Sequence, residues 1–379
     1  MTVAAEQDVL DRHYMSRALE LARKGLYTTD PNPRVGCVIV RDGVVVGEGW
    51  HVRAGEPHAE VHALRAAGEQ ARGATAYVTL EPCSHHGRTG PCAEALVVAG
   101  VGRVVAAMQD PNPQVSGRGL ARLSAAGIEV RSGLLEAEAR AINPGFIKRM
   151  ELSLPLVRVK LAMSLDGRTA MASGESQWIT GPDARRAVQR LRARSSVVLT
   201  GADSVIADNA RMTVRPDELG LDAASSALVA ARAPLRVLID GRLRVPLSSA
   251  FFQAGPSLVV SCIAPAGDRY IQAGAEVLVL PGADGHVHLP ALIAELARRG
   301  ANEVLVEAGA RLAGAMARQG LVDEYQIFIA GKFLGSSARP LLDWPLETMS
   351  QAPALRILEV RAVGEDWRLI AVPHSAGDV

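Results

Sequence analysis

His58-Ala59-Glu60, followed by Pro82-Cys83 and then Pro91-Cys92, puts one imidazole, two thiols and one carboxylate into a short stretch of chain. Removing an exocyclic amine from a pyrimidine at neutral pH needs a hydroxide, and Zn²⁺ provides one by lowering the pKa of a bound water to about 7. Three protein ligands leave the fourth position of a tetrahedral ion for that water. His58 would bind through a ring nitrogen, and Cys83 and Cys92 as thiolates. Glu60 need not bind metal, and two residues past the histidine it is placed to carry a proton from water to a ring nitrogen and then to departing ammonia.

Each residue also has a plain reading. A lone cysteine is usually a small buried hydrophobe, and a lone histidine a hydrogen-bonded core or surface residue. Here those readings would have to hold together. Both cysteines follow a proline, a context suited to thiolates at helix N-termini. Cys37 and Cys262 lie in apolar runs without a nearby ligand partner and read as buried strand residues. His62 shares a helix face with His58, but two thiolates already complete the ligand set, so it reads as a supporting or packing residue. Between the cysteines runs Ser84-His85-His86-Gly87-Arg88-Thr89-Gly90, longer than the two-residue spacer of the common deaminase signature. This loop suits an anionic group such as phosphate, or is a solvated turn.

These residues need an α/β frame. The pattern predicts helix 11–25, strands 35–40 and 44–49, helix 58–72, strand 76–80, helix 92–99, strand 103–108, helix 117–126 and strand 128–131, with both ligand segments at strand-to-helix turns. Residues 136–154 read as a connection. Strands at 156–162, 196–200, 235–239, 257–261, 276–280, 303–306 and 324–330 form a second mixed unit, with long loops over 207–233. The expected domains are 1–148 and 149–379.

The second half lacks a G-x-G-x-x-G turn. Its ligand-binding signals are Glu307-Ala308-Gly309-Ala310-Arg311-Leu312-Ala313-Gly314 after a strand, a polar cluster from Thr200 through Asp208 to Arg215, and Lys160 through Thr180. Small residues at a strand-to-helix turn admit a pyrophosphate to the helix N-terminus, or simply pack tightly. Glu307 would either orient a substrate or cap the following helix.

At 379 residues, with 48% apolar and 21% charged, the chain fits two globular domains. Net charge of +1 and 4% aromatic residues give neither a phosphate-backbone footprint nor base-stacking platforms, which argues against nucleic acid as partner. No apolar stretch is long enough to span a bilayer and the N-terminus lacks a signal-peptide core, so a cytoplasmic protein is expected. An assembly of like chains is also expected.

The chain resembles the bifunctional riboflavin biosynthesis proteins of bacteria, a pyrimidine deaminase fused to a ribose reductase. The resemblance runs from about Tyr14 to near Ala371. It is carried by Pro31-Asn32-Pro33 with Val35-Gly36-Cys37-Val38, by Gly55 to His62, by the run from Thr79 to Cys92, and by Ser164-Leu165-Asp166-Gly167. The longer inter-cysteine loop marks this branch. The resemblance implies an α/β chain with a cytidine-deaminase-like N-terminal domain and a dihydrofolate-reductase-like C-terminal domain. The first would deaminate 2,5-diamino-6-ribosylamino-4(3H)-pyrimidinone 5′-phosphate, and the second would use NADPH to reduce the ribosyl group of the product to ribityl. It further implies zinc on His58, Cys83 and Cys92, Glu60 as proton donor, and Asn32 and His51 as residues orienting the pyrimidine. NADPH would meet Ala162, Trp178, Ser204, Asp208, Gly241 and the turn Gly309, Ala310, Arg311, Leu312, Ala313, Gly314 and Ala315. Substrate would meet Ser176, Arg192, Met212, Arg215 and Glu307. Ala210 stands where the family often has proline, which would loosen that loop, and Gly241 where it often has serine, leaving backbone contact alone. The competing expectation is a nucleoside or RNA-base deaminase joined to a noncatalytic ligand-binding domain.

Overall fold

A computed structural model describes residues 3–84 and 90–374. The chain divides into two compact units, Met1–Ser153 and Leu154–Val379.

In the first unit, buried residues of α1 (Val3–Arg23) recur at Asp11, Tyr14, Met15, Ala18, Leu19 and Ala22, the spacing of one helical face. That face covers a five-stranded sheet of order β2-β1-β3-β4-β5. The strands are β1 (Gly36–Arg41), β2 (Val44–Trp50), β3 (Thr75–Val78), β4 (Arg103–Ala106) and β5 (Glu129–Ser132). β1 is antiparallel to β2 and β3, whereas β3, β4 and β5 are parallel. Helices α2 (Ala59–Ala67), α3 (Cys92–Ala99) and α4 (Arg118–Ala125) connect them. The stretch read as a connection instead forms α5 (Glu136–Ile142) and α6 (Pro144–Leu152), and Ile142, Phe146 and Ile147 are buried in the first core. Apolar burial explains the difference: these side chains have a core to join, and a linker would leave them in water.

The second unit is built on a nine-stranded sheet of order β11-β10-β9-β8-β12-β6-β13-β16-β15. The strands are β6 (Leu156–Ser164), β8 (Val197–Gly201), β9 (Leu235–Ile239), β10 (Ser257–Ser261), β11 (Ala275–Val279), β12 (Glu303–Glu307), β13 (Glu324–Ala330), β15 (Leu355–Val363) and β16 (Asp366–Pro373). β7 (Arg168–Ala170) and β14 (Arg339–Pro340) pair separately. From β11 to β13 all neighbours are parallel, and β16 and β15 close the edge antiparallel.

Parallel strands covered on both faces read as unbroken apolar runs, and Val304-Leu305-Val306 is wholly buried. The helices of this unit are α7 (Pro182–Arg194), α8 (Ala202–Asp208), α9 (Ala223–Ala230), α10 (Ala250–Gln253), α11 (Arg269–Gln272), α12 (Leu289–Arg298) and α13 (Ala310–Arg318). Val304 and Val306 pack with α12 and α13, while Leu305 faces α7. Within 207–233, expected to be loop, Ala223–Ala230 is helical, with Asp222 accepting the Ser225 N–H at its start.

Candidate active site

In the first unit, His58 is the N-cap of α2, and Glu60 lies in the first turn with 3% exposure. Glycines in β2 allow α2 to lie directly on the strand. A β-carbon on Gly49 would stand 2.3 Å from the Ala59 carbonyl oxygen, and one on Gly47 2.2 Å from that of Ala63. Cys92 opens α3 behind Pro91. Cys83 does not begin a helix of its own; its sulfur instead accepts the Cys92 N–H of α3 at 3.3 Å. The expectation of two helix N-termini is thus met by one, shared between both sulfurs.

His58 Nδ1 lies 3.6 Å from Cys83 Sγ and 3.3 Å from Cys92 Sγ. Metal–ligand bonds of about 2.0 and 2.3 Å at tetrahedral angles place nitrogen and sulfur about 3.6 Å apart, so the three donors fit one zinc ion. They are the one such group of histidine, cysteine and acidic side chains converging among the described residues. Glu60 Oε2 is buried there without a hydrogen-bond partner among the described residues, as suits an oxygen that handles the protons of a reacting water. Burial, followed by the nearby Cys83 charge, raises the Glu60 carboxyl to about 7, near the value that serves proton transfer both ways. Cys83 is lowered to about 4 by bonding from the Cys92 thiol and then from His58, and the paired Cys92 is raised by that same bond. His58 is raised, chiefly by Cys83.

Asn32 Nδ2 lies 3.1 Å from His51 Nε2, and His51 Nδ1 lies 3.1 Å from the Pro57 carbonyl. Burial lowers the His51 pKa, so its neutral ring donates from Nδ1 and accepts from Asn32 at Nε2. The His51 ring meets the His58 ring edge-on at 5.2 Å, joining this pair to the ligand set. His62 is not one of the ligands, and its Nε2 is buried without a partner among the described residues. The expected anion loop around His85, His86 and Arg88 lies outside the described residues.

In the second unit, β12 ends at Glu307, which pairs in register with Lys160 of β6. Arg192 of α7 holds Glu307 through both oxygens, Nε to Oε1 at 2.6 Å and Nη2 to Oε2 at 3.0 Å. Glu307 therefore does not cap α13, whose N-cap is Gly309. Burial opposes its ionisation, but Arg192 and Lys160 outweigh burial and lower its pKa. Lys160 is lowered by burial. The sequence places Lys160 at the start of a ligand-binding cluster but not beside Glu307, which is far away in the chain and joined to it only by strand register. Arg192 also donates to the Thr213 carbonyl at 2.8 Å and lies 4.0 Å from Met212 Sδ. Arg215 is turned toward Glu218, and its backbone N–H donates to Gln189 at 3.0 Å.

The expected cofactor residues divide. Trp178, 61% exposed, lies under the Arg185 guanidinium at 4.6 Å and accepts from Lys332 through its carbonyl. It lines a cleft of about 330 Å³ with Thr180, Gly181, Lys332 and Asp366. Ser176 donates to Asp208 at 3.3 Å, and Ser204 lies in the same helix as Asp208, Ala202–Asp208. Ala162 pairs with Phe328 inside the sheet. A β-carbon on Gly309 would meet no atom within 4 Å, and Arg311 is exposed, so the first turn of α13 is accessible. Ala310, Leu312 and Ala315 are half-buried. Ala313 and Gly314 face inward instead, and a β-carbon on Gly314 would stand 2.4 Å from the Asp343 carbonyl oxygen. A β-carbon on Gly241 would stand 3.2 Å from Cys262 Sγ. Beside Ala210, the preceding Asn209 accepts the Ala250 N–H at 2.8 Å.

Fold and donor set together define a zinc-dependent deaminase domain joined to an α/β reductase domain. Residues 9–108 match the cytidine and deoxycytidylate deaminase zinc-binding region, and residues 155–369 match the RibD C-terminal domain. Riboflavin biosynthesis protein RibD of Escherichia coli is 54% identical over 361 residues, covering 94% of this chain and 97% of its own length. That of Haemophilus influenzae is 50% identical, covering 96% and 97%. The solved structure of Acinetobacter baumannii RibD has a TM-score of 0.90 at 46% identity, covering 97% of this chain and 100% of that one. A deaminase/reductase of Thermotoga maritima gives 0.84 at 32%, with the same coverage. The chain belongs to the RibD family of riboflavin biosynthesis: it is a bifunctional enzyme, a zinc-dependent deaminase with a cytidine-deaminase-like fold followed by an NADPH-dependent, dihydrofolate-reductase-like reductase.

Proposed function

We propose that the first unit deaminates 2,5-diamino-6-ribosylamino-4(3H)-pyrimidinone 5′-phosphate and that the second reduces the ribosyl group of the resulting 5-amino-6-(5-phosphoribosylamino)uracil. The convergence of His58 Nδ1 with Cys83 and Cys92 Sγ, beside the unpartnered Glu60 oxygen, carries this reading. His58, Cys83 and Cys92 would hold zinc, which supplies an activated water at neutral pH. Glu60 then moves the proton, first to the ring nitrogen and then to the departing amine, and its raised pKa suits both transfers. Asn32 and the neutral His51 orient the pyrimidine.

In the second unit, bound NADPH would be the source of hydride for the opened ribosylamine. Its contacts fall to Ala162, Trp178, Ser204, Asp208, Gly241 and residues 309–315, with the accessible first turn of α13 the best-suited part of that segment. Arg192 and Glu307, with Ser176, Met212 and Arg215, hold the substrate. Deaminase activity is assigned to 1–148 and reductase activity to 149–379.

We also place the protein in the cytoplasm, where free thiols such as its four cysteines persist; no helix among the described residues is long and apolar enough to cross a membrane. A homo-oligomer is favoured by the edge strand β15, where Leu355, Ile357, Leu358 and Val360 are all exposed.

A coupled assay tests the assignment, with ammonia and NADPH followed on the phosphorylated diaminopyrimidine. Both signals are expected. Zinc chelation is expected to stop ammonia release while leaving NADPH oxidation on pre-deaminated substrate. Reductase activity that depended on zinc would contradict the division of labour.

A further inference from the structure

Glu81 stands two residues before the ligand Cys83 and is not one of the converging donors. It is 3% exposed, and its carboxylate accepts four backbone N–H groups. Oε2 takes those of Asp110 at 3.1 Å and Gly117 at 2.9 Å. Oε1 takes those of Gly119 at 2.8 Å and Leu120 at 3.3 Å. Three of these belong to the start of α4, where a helix has unpaired N–H groups and favours an anion. Unlike an ordinary cap, this one is supplied from a distant strand end. The Glu81 N–H is itself held by the Met108 carbonyl at 3.0 Å.

The same first turn of α4 also lies against the next peptide of the segment. A β-carbon on Gly119 would stand 1.9 Å from the Pro82 carbonyl oxygen, so only glycine permits this contact. The peptide leading into Cys83 thus rests on the start of α4, which the Glu81 carboxylate holds through its N–H groups. Beyond it, the Cys83 carbonyl accepts the Ala93 N–H at 3.1 Å, fixing the start of α3 and with it Cys92. Arg122 of α4 bonds Glu94 of α3 at 2.8 Å, tying the two helices on the solvent side.

We propose that Glu81 is a positioning residue for the zinc centre: by holding α4 against Pro82 it sets where Cys83 stands relative to His58. The proposal rests on the ligand assignment given above. Glutamine at this position keeps the size of the side chain but turns an amide NH₂ toward two N–H donors, so the hold on α4 loosens without opening a cavity.

The test is chelator competition for zinc on the full chain, unchanged and E81Q, with the cobalt(II)-substituted forms compared by their thiolate-to-metal absorption. One tightly held zinc in the unchanged chain, lost in C83S, checks the ligand assignment independently. E81Q is expected to weaken zinc binding by about tenfold to a hundredfold, the usual effect of losing a support behind a metal ligand, and to shift the cobalt spectrum. Its NADPH oxidation on deaminated substrate should match the unchanged chain, reporting an intact second unit. If E81Q is insoluble, E81D, which keeps the charge but withdraws it by one methylene, is measured in the same way. Zinc affinity and cobalt spectrum equal to those of the unchanged chain, in whichever variant is soluble, would overturn the proposal even if thermal stability fell.

Discussion

At the residue scale, charge is placed where burial makes it costly unless it is paired. Glu307 is held by both arms of Arg192 and faces Lys160, so the three groups form one charged unit. Glu307→Gln leaves two cations without their shared anion. The expected result is a loss of reductase turnover of about a hundredfold, the scale of truncating one partner of a buried charge pair, with ammonia release unchanged. Asp11 plays a structural part in the first unit. Burial alone would raise its carboxyl, but bonds from Arg103, Tyr77 and Gln7 more than reverse this and hold it at about 2 against the ordinary 3.8. Because the folded value is the lower one, this stabilisation is complete above about pH 4 and is lost as pH falls from there toward 2. Asp11→Asn is expected to cost about 2 kcal/mol near neutral pH and to flatten the acid-side loss of stability, as read from denaturant unfolding across a pH series.

At the element scale, the deaminase site depends on how closely α2 lies on β2. Gly49→Ala would set a β-carbon 2.6 Å from both the Ala63 nitrogen and the His62 β-carbon, so the helix must move outward with His58 and Glu60. A displacement near 1 Å costs about a hundredfold in rate. Ammonia release is expected to fall by that order while NADPH oxidation on deaminated substrate is retained. Elements with one buried face or a continuous apolar run were legible in the sequence, as α1 and Val304-Leu305-Val306 show. Others carried no such pattern. In β15 the alternation of Leu355-Arg356-Ile357 and of Glu359-Val360-Arg361 is broken by a register shift between Ile357 and Glu359, and the segment becomes a strand by pairing with β16. The helix Ala223–Ala230 is rich in alanine and serine with one fully buried residue, Val229, and resembles loop composition. The helices of 136–152 were hidden because their burial depends on a core assembled elsewhere.

For the whole molecule, the part legible in advance was the part restricted by chemistry. Zinc-assisted deamination admits few donor types, so His58, Cys83 and Cys92, which the fold brings together, could be singled out with Glu60 from residue type and spacing. The groups that stand beside Glu307 and behind Cys83 were not. Lys160 reaches Glu307 through strand register, and Glu81 reaches α4 across 38 positions, through contacts that exist only after folding. The two chemistries are placed in two compact units. They are linked by the product of one serving as the substrate of the other. The most direct test of this account is NADPH oxidation by Glu60→Gln, zinc-loaded, on the aminated and the already deaminated pyrimidine. On the aminated compound the account predicts a rate reduced by about a hundredfold or more, and on the deaminated one an unchanged rate. Equal, undiminished oxidation of both would contradict it, because either deamination would then not depend on Glu60 or reduction would not depend on deamination.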